Sequence, residues 1–140
     1  MLTPINPLDL WKVWHNAIKP GVEKILATNN KECVQELWTP EDVWTSIKTG
    51  ESVLWLGEEG FVVTQIQQDR YTGIKKLYVW LGYSFENDGD VLSNSYEQLV
   101  NYGRYMECAL ITFSSVRRGW IKRAKTIGMA QGPVTYAARI

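Results

Sequence analysis

A single histidine, two cysteines and no net charge set the first limits on this sequence. One imidazole, His15, excludes a multi-histidine metal centre. Cys33 and Cys108 lie far apart and cannot make a dense disulfide framework, so a reduced compartment is the simpler setting. Each reads as a small buried hydrophobe. Fifteen basic and fifteen acidic residues cancel, which argues against a general polyanion binder and leaves room only for a local patch. No apolar run reaches the roughly 18 residues that a membrane-spanning helix needs. The start, Met1-Leu2-Thr3-Pro4-Ile5, lacks the basic region of a secretory leader. These absences predict a cytoplasmic protein or a soluble component of a particle. No glycine-rich phosphate loop or nucleophile triad is present either.

Hydrophobic residues make up 45% of the 140 and charged ones 21%, enough apolar material for one domain spanning 1–140. Seven Trp and seven Tyr are many for this length. They can fill an irregular α/β core or line an assembly surface. A patch built from Trp11, Trp14, Trp38 and Trp44 would mark a site for a protein partner if it were exposed.

Asn6 can cap a first helix, with Pro7 at its first position and Leu10, Trp11, Trp14 and Ile18 as its apolar stripe. Pro20-Gly21 predicts a break or bend, then a second short helix carrying Val22, Ile25 and Leu26. Thr39-Pro40-Glu41-Asp42 starts another helix, with Val43, Trp44 and Ile47 inward and Gly50 as the stop. Strands follow at residues 52–56, 61–67 and 75–83. Their short connections predict an antiparallel meander. In the third, Leu77, Val79 and Leu81 share one face, and Lys76, Tyr78 and Trp80 the other. A polar loop at 84–94 holds Glu86, Asp88 and Asp90. A long helix then carries Leu92, Tyr96, Leu99, Gly103 and Met106, capped by Ser93 or Ser95 and ending near Cys108. A strand at 109–113 feeds a basic amphipathic helix at 116–127, with Val116, Trp120, Ile121, Ala124 and Ile127 inward and Gly128 as its stop. Residues 134–138 complete the pattern as a last strand. The class is α/β (α+β): a mixed, mainly antiparallel sheet of about five to seven strands with helices on both faces.

This order of strands and helices resembles the GNAT (acyl-CoA N-acyltransferase) superfamily, and Arg118-Gly119-Trp120 followed by Lys122-Arg123 resembles its phage branch. The nearer likeness is to acetyltransferase-like proteins of tailed bacteriophages, including a virion-associated branch from short-tailed phages. That resemblance implies a GNAT-like fold, a place in the infected host's cytoplasm or in the virion, and acetyl-CoA as cofactor if the chain is active. One departure counts against activity. Family members carry a Gln/Arg-x-x-Gly-x-Gly/Ala segment whose backbone amides hold the CoA pyrophosphate. Here the corresponding segment is Tyr83-Ser84-Phe85-Glu86-Asn87-Asp88-Gly89-Asp90, with one glycine and three carboxylates. Carboxylates repel a pyrophosphate, so no cofactor is expected and a non-catalytic role in virion assembly or inside the virion is favoured.

If acyl transfer survives, it needs a base for the amine and an acid for the leaving thiolate. Glu59, beside Glu58 in a hairpin, is the candidate base, against a plain solvated turn. Tyr136 and Tyr105 are the candidate acids, against core packing. Val79, Leu81, Ser84 and Gly89 are the candidate cofactor contacts. Arg117, Arg118, Lys122 and Arg123 could touch DNA phosphates as a packaging accessory, against the solvated face of a helix.

Overall fold

The computed structural model describes residues 1–32, 37–115, 119–138 and 140. Cys33 and the Val116, Arg117 and Arg118 positions lie outside the described residues. β1 (Thr3–Pro4), β2 (Ser52–Leu56), β3 (Gly60–Gln68), β4 (Lys75–Ser84) and β5 (Leu110–Phe113) form one sheet in the order β1-β2-β3-β4-β5. The first four are antiparallel neighbours, and β5 runs parallel to β4. The meander stands where the alternating residues predict it, within one or two residues.

The N-terminal helical segment runs without a break. A 3-10 turn at Pro7–Asp9 leads into α1 (Leu10–Val13), a π-helical turn at Trp14–Ile18, and α2 (Lys19–Glu32). The Asn6 side chain caps it by accepting from Leu8 N–H at 2.9 Å. Pro20-Gly21 therefore does not separate two helices. The π turn closes with Lys19 N–H donating to Trp14 O, five residues back. Pro20 directly follows that wider turn, inside a helix whose hydrogen-bond pattern is already shifted by one residue. Gly21 serves contact rather than termination. A Cβ there would stand 2.6 Å from Phe61 Cε2 and 2.7 Å from Tyr83 Cδ2. The helix lies against the sheet because that atom is missing.

α3 (Pro40–Lys48) starts on the expected reciprocal cap. Asp42 Oδ2 accepts from Thr39 N–H at 2.8 Å, and Thr39 Oγ1 accepts from Asp42 N–H at 3.4 Å. Gly50 follows at φ +82°. α1, α2 and α3 cover one face of the sheet, around Leu10, Ile18, Val22, Val43, Ile47 and Phe61. The other face packs Trp55, Val62, Leu77 and Val79 against Val91, Leu92 and Leu99 of α4 (Val91–Tyr105).

The cap of α4 is Asp90, one turn earlier than the two serines expected, with its carboxylate accepting from Ser93 N–H at 3.2 Å. Its end is a Schellman turn. Cys108 N–H donates to Gly103 O at 2.8 Å and Glu107 N–H to Arg104 O at 3.0 Å, with Glu107 at φ +62°.

Three further expectations fail. β4 does not keep Leu77, Val79 and Leu81 on one face. Val63 pairs with Leu81 while Thr64 pairs with Val79, so Trp80 is an extra residue in β4, a bulge. Leu77 and Val79 point towards α4; Leu81, Trp80 and Tyr83 pack on the opposite core. The described basic helix is α5 (Trp120–Thr126), with no fully buried residue; Ile121 is exposed rather than inward. Gly128 ends it at φ +88°, as expected. Residues 130–138 form no strand and are exposed throughout. The sheet therefore gains one crossover strand beside the meander, not two.

The tryptophans are mostly internal. Trp14 is buried edge-on to Trp44 at 5.3 Å, and Trp38 meets Trp80 at 5.2 Å. Of the four proposed for a surface patch, Trp11 alone is classed as exposed. Among the described residues no helix is long and apolar enough to cross a membrane.

Candidate functional site

The bulge builds the site. Parallel pairing of β4 with β5 ends at Val79 and Phe113, one residue before Trp80. Past that point the hydrogen bonds between the two strands stop, and a cleft of about 460 Å³ lies against both ends. One wall is Val79–Ser84 of β4 and the other is Phe113, Ser114 and Ser115. α2 contributes Lys24, Ile25 and Thr28, and the first turn of α4 contributes Val91 and Leu92. Trp120 closes one side, edge-on to Phe113 at 4.7 Å.

All four proposed cofactor contacts, Val79, Leu81, Ser84 and Gly89, line this cleft. The polar pair already has work within the chain. Ser84 Oγ accepts from Val91 N–H at 2.9 Å. A Cβ at Gly89 would stand 3.0 Å from Ser84 Cβ and 3.1 Å from Glu86 O, so glycine lets the loop fold this tightly.

The proposed acid and base residues are not brought together. Tyr136 is 90% exposed and Tyr105 is 81% exposed, so neither packs in the core and neither lines the cleft. Tyr105 sits at the far end of α4 from the cleft-lining first turn, and Tyr136 belongs to no element. Glu59 is exposed at the β2–β3 turn, outside the cleft lining. Its carboxylate accepts from Asn94 Nδ2 at 2.8 Å and its carbonyl from Phe85 N–H at 2.8 Å, so it ties that hairpin to the loop and to α4.

Anions meet a filled seat. The exposed N–H groups at a helix start are the ready donors for a phosphate. Here Val91 N–H goes to Ser84 Oγ, Ser93 N–H to Asp90 Oδ1, and Asn94 N–H to Asp90 O. The Asp90 carboxylate also sits 3.5 Å from Arg123 Nε, so a cleft cation is engaged as well. Glu86 lines the cleft beside it, while Asp88 is exposed outside. An acyl-CoA pyrophosphate would have to displace the Asp90 carboxylate from the Ser93 amide and the Ser84 hydroxyl from the Val91 amide. These residues do not fit that group.

Lys24, Tyr83 and Trp120 line the cleft without having been singled out as ligand contacts, and Arg123, proposed for DNA phosphates, lines it too. Lys24 Nζ stands 6.0 Å from the Tyr83 ring and Arg123 lies 5.0 Å from the Trp120 ring, both cation–π distances. A helical step of three to four residues relates Gly21, Lys24, Ile25 and Thr28, which is the only sequence signal for the α2 wall.

No family model and no curated protein matches this chain in sequence. Solved structures do match in shape. A probable acetyltransferase superposes with TM-score 0.71 at 15% identity, covering 100% of this chain and 98% of its own. The ribosomal-protein-alanine N-acetyltransferase of Brucella melitensis biovar Abortus 2308 gives 0.64 at 13%, covering 100% and 99%. The glucosamine-6-phosphate N-acetyltransferase of Arabidopsis thaliana gives 0.63 at 10%, covering 99% and 97%. The chain has the fold of the GNAT acetyltransferases. Identity this low carries the fold alone, because one fold hosts many functions.

Proposed function

We propose that this chain keeps the acetyltransferase fold without its reaction and serves a tailed bacteriophage as an assembly or internal virion protein. The observation that carries the non-catalytic half is the start of α4, where Ser84 and Asp90 occupy amides that an anionic cofactor would need. The phage half is supported by the resemblance carried by Arg118-Gly119-Trp120 and Lys122-Arg123. The partners are then structural or assembly proteins of the particle. Calorimetry with acetyl-CoA and mass spectrometry of purified virions test the two halves separately. No binding and presence in particles are the expected results. Micromolar binding with the phosphates at residues 84–92 would overturn the first half, and absence from virions and assembly intermediates the second.

A second reading, an acetyl-CoA-dependent N-acyltransferase of an unidentified amine, is favoured by the open cleft between β4 and β5. A third, DNA contact during packaging, rests on Lys122 and Arg123 together with Arg117 and Arg118, which lie outside the described residues. Arg123 is held by Asp90, which weakens it. Salt-sensitive DNA binding, lost when Lys122 is neutralised, would favour that third reading.

A further inference from the structure

We propose that the end of the sheet opposite the cleft binds single-stranded nucleic acid through two Arg-Tyr pairs, Arg70-Tyr71 and Arg104-Tyr105. The sequence holds this dipeptide twice, in well-separated stretches. The fold brings both to one end. Arg70-Tyr71 is in the β3–β4 turn, and Arg104-Tyr105 closes α4. β4 joins them. Ala109 N–H, just after α4, donates to Lys75 O at 2.8 Å. Gly103 packs on the same strand, where a Cβ would stand 3.6 Å from Leu77 Cδ2. Alternation puts Lys75 on the face of Leu77, towards α4.

The turn is built to hold its tip outward. Asp69 Oδ1 accepts from Tyr71 N–H and Thr72 N–H, both at 2.8 Å, and Gln68 Nε2 donates to Gly73 O at 3.0 Å. These bonds fix the backbone and leave the Tyr71 ring 86% exposed. Tyr105 is as open, and an exposed phenol ring is a flat face on which a base can stack. The Arg70 guanidinium lies 5.4 Å from the Tyr71 ring and adds charge beside that face. Arg70, Lys75 and Arg104 make no ion pair among the described residues. Arg104 donates to the neutral Asn101 Oδ1 at 3.5 Å. Lys76 is offset by Asp69, and Glu107, exposed in the turn after α4, opposes the other three. The result is a local basic patch on a chain of zero net charge. An acidic protein segment would use the cations and leave the two rings idle. Cations set beside open rings match phosphates alternating with bases. This surface shares no residue with Lys122 and Arg123 of α5, and it stands whether or not the cleft takes a cofactor.

Fluorescence anisotropy of a labelled oligothymidine of about 20 nucleotides with the 140-residue chain tests this. The expected result is binding at low salt, with log affinity falling against log salt at a slope of about −0.7 for each phosphate held. Oligouridine should bind alike, since neither a phosphate contact nor a stacked ring reads the sugar. Tyr71→Ala/Tyr105→Ala should weaken binding at least about tenfold and leave the slope unchanged. Arg70→Gln/Arg104→Gln should make the slope shallower. All four side chains are exposed, so circular dichroism should not change in either variant. Lys122→Gln should bind as the parent does. No binding at low salt overturns the proposal. So does a double tyrosine variant that binds as tightly as the parent, a duplex bound as tightly as the single strand, or loss of binding in Lys122→Gln. Displacement of the oligonucleotide by polyglutamate at equal charge would assign the patch to an acidic protein segment and overturn it equally.

Discussion

Asp90 shows how one side chain can decide what a helix terminus offers. Its carboxylate caps Ser93, and it pairs with Arg123 across the cleft. Gly21 acts in the opposite way, by having no side chain where Phe61 and Tyr83 meet the helix. Gly21→Ala should destabilise the protein by about 1–3 kcal/mol through overpacking, read as a lower urea midpoint with unchanged slope. An unchanged midpoint would mean that the two rings move aside freely. Asp69 lies in the β3–β4 turn, where the backbone N–H groups of Thr72 and Tyr71 hold its carboxyl below the ordinary 3.8. A lowered folded pKa contributes stability that is full above the ordinary value and lost as pH falls through the lower one. Asp69→Asn should therefore lower the melting temperature most at neutral pH and flatten the acid limb, the two proteins converging as pH falls. A steeper acid limb in the variant would contradict the sign.

Two elements depend on single positions that no local pattern announces. α4 ends with Glu107 at φ +62°, a conformation that costs a side-chain-bearing residue and suits glycine. Glu107→Gly should raise stability by roughly 1 kcal/mol, measured by denaturant titration, because glycine takes that conformation freely. A loss would show that the Glu107 side chain does more than the turn requires. In β4 the extra Trp80 sends Leu81 and Tyr83 to the α2 face while Val79 stays on the α4 face. Deleting Trp80 removes the extra step and turns the rest of β4 over. That deletion should abolish cooperative unfolding by circular dichroism, whereas Trp80→Phe should keep it. A folded deletion variant would rule out the bulge as the device that sets the two faces.

At the scale of the molecule, the sheet and helix layers have the fold of the GNAT acetyltransferases, while the Val91 and Ser93 donors at the start of α4 are already engaged. The cleft is open between β4 and β5, so the proposed exclusion of the cofactor rests on charge and occupied amides. The double variant Glu86→Gln/Asp90→Asn keeps an oxygen to cap Ser93 and removes two negative charges. It should bind CoA at least about tenfold more tightly than the parent chain, about 1.4 kcal/mol in calorimetry. Equal affinity in both would show that the carboxylates are not what excludes the cofactor.

The sequence alone determined the parts governed by near neighbours. Asn6-Pro7 and Thr39-Pro40-Asp42 start helices because a side chain meets a backbone N–H two or three residues away. The β2–β3–β4 meander follows from alternation and short turns, both local properties. Gly50 and Gly128 stop their helices through their own φ. Val79, Leu81, Ser84 and Gly89 were named through the family resemblance as cofactor contacts, and they line the cleft. Tertiary structure decided the rest. Pro20-Gly21 reads as a break until Phe61 and Tyr83, far along the chain, are placed against it. The face of Leu81 depends on the register with β3, and 134–138 stays out of the sheet although its residues favour a strand. Lys24, Tyr83, Asp90 and Arg123 come from four separate stretches of the sequence and meet only when α2, β4, α4 and α5 pack. Caps and alternation are energies between residues a few positions apart, whereas a cleft is a distance between residues that the chain itself keeps far apart.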